Sequence, residues 1–172
     1  MSAATDLLLD AFSRVREEVH AAADGLSRDE LAVRLDPDAN SVGWLLWHLT
    51  RVQDDHISDV AGREERWTAD GWRARFALPV DGLGYGHSSE EVGLVRGFDA
   101  ELVLAYYDAV HDQTVAFVRG LDDGALDRVV DEDWDPPVTL AVRLVSVISD
   151  CLQHVGQAAF VAGVVKRRRG NG

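Results

Sequence analysis

The chain has 172 residues, 47% of them hydrophobic, which suits one domain with its own core and no stapling. Acidic residues outnumber basic ones 30 to 17, and the formal net charge of −13 argues against a nucleic-acid or anionic-membrane partner. A single cysteine, Cys151, excludes an intramolecular disulfide, and MSAATDLLLD lacks the positive start of a signal peptide, so a reducing cytoplasm is expected. Lys166 is the only lysine, and Ala, Val, Gly and Arg abound, the usage of a GC-rich genome.

The first helix is predicted from about Thr5 to Asp24, with Leu8, Ala11, Phe12, Val15, Val19 and Ala22 as its apolar stripe. Gly25 ends it, and a connector with room for one helical turn follows. The second helix is predicted from Ser41, an N-cap after Asp36-Pro37, to Gly62. Leu45, Leu49, Val52 and His56 share one face, with Trp44, His48 and Asp55 beside it. Residues 63–97 form an irregular crossover, because seven glycines and prolines preclude one long helix there. Trp67, Trp72, Phe76 and Tyr85 make this segment an ordered, pocket-covering loop, and Ser88 or Ser89 can cap a short helix within it.

The third helix is predicted from about Phe98 to Arg119, with a stripe of Phe98, Leu102, Ala105, Tyr106, Ala109, Gln113, Ala116 and Phe117. After an acidic connector the fourth runs from about Thr139 to Lys166, with Ala141, Leu144, Val145, Ile148, Leu152, Val155, Ala159 and Ala162 facing inward. Residues 167–172 read as a flexible tail whose cations complement the helix dipole. No strand is expected. The pattern is all-α: one four-helix-bundle domain over residues 1–172, with a long crossover between helices 2 and 3.

Of the twenty-two residues between Arg143 and Lys166, only Asp150 and His154 can carry charge at neutral pH, and the middle is too polar for a membrane span. Four apart, the two side chains share a helix face. Burying them on an apolar helix is costly unless something pairs them. His48 is the other histidine in an uncharged helical stretch, between Ser41 and Thr50. Two imidazoles and a carboxylate with open positions suit a catalytic divalent metal; an Asp–His hydrogen bond in a metal-free core is the alternative.

Gln157, one turn after His154, is placed to support a ligand or substrate, and Trp44, His87 and Trp134 are candidate pocket residues. His56 lies about 12 Å beyond His48 along the axis, at a pocket mouth. Cys151 reads as a buried structural thiol, and His20 and His111 as surface or boundary residues. Asp131–Asp135 opens like a calcium loop, but Pro136 replaces the required glycine and Val142 the closing glutamate.

Gly43-Trp44-Leu45-Leu46-Trp47-His48-Leu49 and Asp150-Cys151-Leu152-Gln153-His154-Val155-Gly156-Gln157 together resemble the DinB-like superfamily. These four-helix bundles include thiol-dependent S-transferases and the mycothiol-dependent maleylpyruvate isomerase. The resemblance spans nearly the whole chain and implies that His48, Asp150 and His154 are metal ligands. Many relatives carry histidine at the position of Asp150; a carboxylate there points to the actinobacterial, mycothiol-linked branch. The implied cofactors are a divalent metal, zinc first and nickel, manganese or iron as alternatives, and mycothiol as thiol co-substrate. The implied function is S-transfer to, or isomerisation of, a small electrophile. The alternatives are a metal-dependent hydrolase and a non-enzymatic metal- or ligand-binding stress protein, and a homodimer through apolar bundle faces is compatible with either.

Overall fold

The long helices in the computed structural model, which describes residues 2–170, all begin at a side-chain cap. Helix α1 (Ala3–Ala23) starts at Ser2, α3 (Val42–Ala61) at Ser41, α7 (Ala100–Arg119) at Asp99 and α8 (Leu140–Arg169) at Thr139. Each cap satisfies one backbone N–H that the helix cannot satisfy itself, worth about 1 kcal/mol. The short helices α2 (Arg28–Leu31) and α6 (Ser89–Leu94) carry full capping boxes, Ser27 with Glu30 and Ser88 with Glu91. Helices α4 (Arg66–Ala69) and α5 (Trp72–Phe76) complete the crossover.

Helices α1, α3, α7 and α8 form the bundle, with α3 and α1 each packed against both α7 and α8. Sixteen of the twenty residues of α3 are buried, including Arg51, Gln53 and Asp54. A bundle helix normally keeps one face in water. Here the crossover covers that face, and its ring cluster joins Trp67, Trp72 and Phe76 to Tyr106 of α7.

Asp54 anchors the start of the crossover. Its carboxylate is fully buried and accepts from the backbone N–H groups of Arg66 (2.9 Å) and Trp67 (2.8 Å) and from the Tyr106 hydroxyl (2.8 Å). Burial pushes its pKa up, and those donors pull it back down. Arg51 lies alongside, paired with Glu65 and stacked over Trp67 at 4.8 Å.

Two of the predicted helix faces are rotated from the observed ones. On α7 the core holds Val103, Tyr106, Tyr107, Val110, Thr114 and Val118, while Leu102, Ala105, Ala109 and Phe117 are half-buried and Ala116 is exposed. On α8 the core holds Leu140, Leu144, Val147, Cys151, Val155, Ala158 and Ala162, while Val145, Leu152 and Ala159 face solvent. Apolar residues occupy every side of both helices, so periodicity alone does not fix the phase. By length and composition α8 is apolar enough to cross a membrane, contrary to the sequence expectation, yet it packs along α1 and α3 in the bundle.

The connector before α8 is also more structured than expected. A 3-10 turn (Asp123–Asp127) leads into a two-stranded antiparallel hairpin, β1 (Val129–Asp131) and β2 (Val138–Thr139). The expected tail is helical as far as Arg169, which donates to Glu30 at 2.7 and 2.8 Å and to the Gly25 carbonyl at 2.9 Å. Residues 171–172 lie outside the described residues. His111 is buried rather than on the boundary.

Asp54→Ala should lower the unfolding free energy by about 3–5 kcal/mol, because it strands two backbone N–H donors and the Tyr106 hydroxyl in the core. Urea denaturation of the variant beside the wild type measures it.

Candidate metal centre

The antiparallel pairing of α3 and α8 brings His48 opposite the Asp150–His154 turn of α8. Donor atoms of His48, Asp150 and His154 all lie within 4.8 Å of one another, and this is the group of three such residues found among the described residues. The imidazole centroids of His48 and His154 are 4.6 Å apart. His48 is buried; Asp150 and His154 are half-buried.

Both imidazoles have one nitrogen committed. His48 Nδ1 lies 2.5 Å from the Leu83 carbonyl, and His154 Nδ1 lies 2.8 Å from the Asp150 backbone carbonyl. A carbonyl only accepts, so each Nδ1 must carry the proton, and each Nε2 keeps its lone pair. This is the usual arrangement around metal-binding histidines, whose second N–H is fixed by an acceptor. Asp150 Oδ2 is buried and has no hydrogen-bond partner. His154 Nδ1 is 3.3 Å from that oxygen, but its proton is directed at the closer carbonyl. A carboxylate with an unpartnered, buried oxygen, grouped with two imidazoles that each keep a free nitrogen, fits a divalent cation, and a buried carboxylate oxygen is otherwise expensive.

The surroundings act oppositely on the two rings. Burial holds the His48 pKa below the ordinary imidazole value. The Asp150 carboxylate holds that of His154 above it. His48 is therefore neutral and ready to bind, whereas a proton competes for His154 from higher pH.

Within the crossover, Leu83 and Gly84, which sequence reasoning did not single out as site residues, lie against His48. Gly84 sits at φ +104°, and a Cβ there would lie 2.7 Å from His48 Nδ1, 3.1 Å from Trp44 and 3.2 Å from Trp47. Only glycine lets the backbone approach closely enough for the Leu83 carbonyl to reach His48. Tyr85 follows, with its ring edge-on to His48 at 5.2 Å. Burial and the charges of Asp150 and Asp55 push its hydroxyl up to about 12, so it is a proton-bearing donor at neutral pH. The Gly84-Tyr85-Gly86 run, two glycines around an aromatic, was the available signal.

The remaining candidates fall in different places. Trp44 is buried and stacks on His48, centroids 4.5 Å apart and 19° between planes. His87 stands behind Trp44 rather than at the ligands: its Nδ1 accepts from the Trp44 indole at 3.3 Å and its ring stacks on Trp47. Gln157 is exposed and lines, with Leu45, Gly156 and Phe160, a cavity of about 650 Å³ to which none of the three ligand residues contributes. The cavity that reaches a ligand is smaller, about 160 Å³, bounded by Asp150, Tyr85, His56, Val52, Ser146 and Val147. It adjoins one of about 350 Å³ that includes Trp134. Cys151 is fully buried, and burial pushes its thiol far up, as a structural role requires.

The family model for mycothiol S-transferases (MST) matches residues 7–165. The chain belongs to that family. A crystal structure described as the conserved protein of locus from Enterococcus faecalis superposes with a TM-score of 0.89 at 30% sequence identity, covering 96% of this chain and 98% of that one. No match was found among curated proteins.

Metal content separates this site from a simple Asp–His contact. His48→Ala, Asp150→Ala and His154→Ala should each lose most of the bound metal, read by elemental analysis after zinc loading, since three-ligand sites seldom survive on two. Gly84→Ala leaves all three ligands in place but displaces His48; its zinc affinity should fall about 10–100-fold in a chelator competition. Affinity in the wild type should be flat at alkaline pH and decline as pH falls through the raised His154 value, with His48 still neutral.

Proposed function

We propose that this member of the mycothiol S-transferase family is a metal-dependent enzyme that joins mycothiol to a small electrophile, or uses the thiol to isomerise one. The observation that carries this reading is the buried, unpartnered Asp150 oxygen beside two imidazoles with fixed tautomers, at the end of a cavity. His48, Asp150 and His154 would hold a divalent ion, zinc first and nickel, manganese or iron as alternatives. Such an ion lowers the pKa of a thiol, so that thiolate is available at neutral pH.

The chain's own residues do the rest. Trp44 and the Leu83–Tyr85 turn shield one side of the site from water, which strengthens electrostatic attraction within it. Tyr85, protonated at neutral pH, is placed to donate a hydrogen bond to a substrate oxygen. In transfer, a carbon–sulfur bond forms as the leaving group departs with its electron pair, and the thiol proton passes to solvent. In isomerisation, the thiol adds across a double bond and is expelled after rotation, so none is consumed. The negatively charged chain favours neutral or cationic small substrates over polyanions.

Three protein donors leave coordination positions free, and a cavity adjoins one of them, which favours an enzyme over a storage or binding protein. The zinc-loaded protein, incubated with a reactive electrophile with and without mycothiol, tests the reading. Product should form only with mycothiol and be lost in His48→Ala. Equal electrophile loss without thiol would make it a hydrolase.

A further inference from the structure

The two smaller cavities share His56 and Ser146 as lining residues, so they form one groove running along α8 from Asp150 outward. Its far end is bordered by Trp134, in the loop of the β1–β2 hairpin. Asp150 to Val142, which lines that far end, is eight residues of helix, or about 12 Å.

Trp134 has no structural reason to be tryptophan. Its side chain is 66% exposed, and Val129 and residues 132–137 of the same hairpin are exposed as well. The hairpin therefore adds little to the core but presents a flat indole at a groove mouth. Behind it the rim is rigid: Arg143 donates to Asp131 at 2.9 Å and to His56 Nδ1 at 2.9 Å. Asp131 thus offsets the only cation lining the groove. Glu132, Asp133 and Asp135 follow in the same loop. A groove with its cation already paired, carboxylates at the mouth and an open indole disfavours an anion. It suits a neutral, hydroxyl-rich ligand, whose hydroxyls donate to carboxylates and whose ring C–H face packs on the indole.

We propose that the groove between Asp150 and Trp134 seats the sugar–cyclitol portion of the thiol co-substrate, stacked on Trp134, with its sulfur toward His48, Asp150 and His154. This rests on the reading of the protein as a mycothiol-using enzyme. Mycothiol fits the groove in order as well as in chemistry: a cysteinyl spacer, then two six-membered rings bearing hydroxyls. Glutathione, with its extra carboxylates, would meet the acidic mouth unfavourably. The 650 Å³ cavity, to which no ligand residue contributes, is left to other ligands.

The test uses the full-length, zinc-loaded protein and, as probe, glucosaminyl-inositol, the thiol-free part of mycothiol. Saturation-transfer NMR should show it bound to the wild type. Trp134→Ala should weaken its dissociation constant about tenfold and Trp134→Tyr by no more than about twofold, as expected for losing and keeping an aromatic face. The KM for mycothiol should rise in parallel in Trp134→Ala, while the KM for the electrophile stays. Unchanged thermal unfolding confirms that the exposed position tolerates the change. If the probe fails to bind the wild type, or binds Trp134→Ala equally well, the subsite assignment is overturned. Because the NMR arm needs no turnover, its result is independent of whether mycothiol supports catalysis.

Discussion

The site depends on the burial of α3 from every direction. Three of the bundle helices leave one side of α3 open, and the chain closes it with the crossover. Two contacts hold that cover in place. At its start Asp54 captures the first backbone donors of α4, and at its far end the Leu83 carbonyl rests against His48. The second contact is functional as well as structural, since it sets which nitrogen of His48 carries the proton. The loop that covers His48 therefore also sets which of its nitrogens is free. A glycine at 84 is the geometric condition for both, because any side chain there would occupy the position of the imidazole.

Asp150 organises the other half. Its backbone carbonyl fixes the tautomer of His154, while its carboxylate raises the proton affinity of the same ring and leaves one oxygen unpaired. One residue thus orients a neighbour, tunes it and offers a donor of its own, which is possible only because a residue four positions on sits directly above it on a helix. His48 receives the opposite treatment, with burial keeping it neutral. The two imidazoles are consequently inequivalent, and acid reaches the site first through His154.

The legibility of these features in the sequence follows from how unusual each one is locally. Ser41 sits before a long apolar run and caps its helix as such a residue does, whereas the Asp99 cap lay inside the helix predicted from Phe98. Asp150, His154 and His48 stand out because the stretches around them, residues 144–165 and 41–50, carry no other charge. The phase of α8 was harder to read because Val and Ala occupy all its sides; on α7 the charged residues Glu101, Asp112 and Arg119 mark the exposed face, but the apolar Leu102, Ala105 and Ala109 border it and read as core. The Leu83 carbonyl leaves no trace at all in side-chain chemistry, since a backbone atom is brought to His48 by tertiary folding. His87 lies one layer out from His48. A histidine in an aromatic loop looks like a pocket residue, yet its nitrogen is consumed by the Trp44 indole, which steadies the face that His48 stacks on.

Charge gives the carboxylate at position 150 a chemical meaning. Two neutral imidazoles and one carboxylate around a divalent ion leave a single net positive charge, whereas three imidazoles would leave two. One thiolate cancels a single charge, and a neutral assembly is the one that a half-buried pocket tolerates at least desolvation cost. If the site holds a metal as proposed, the carboxylate would match it to one anionic sulfur rather than to a multiply charged ligand. The outer groove follows the same rule, since Asp131 has already neutralised Arg143 where a charged ligand would need it free. On the proposed reading, the charges from Asp150 to the hairpin would favour a ligand that is anionic only at its sulfur and neutral everywhere else.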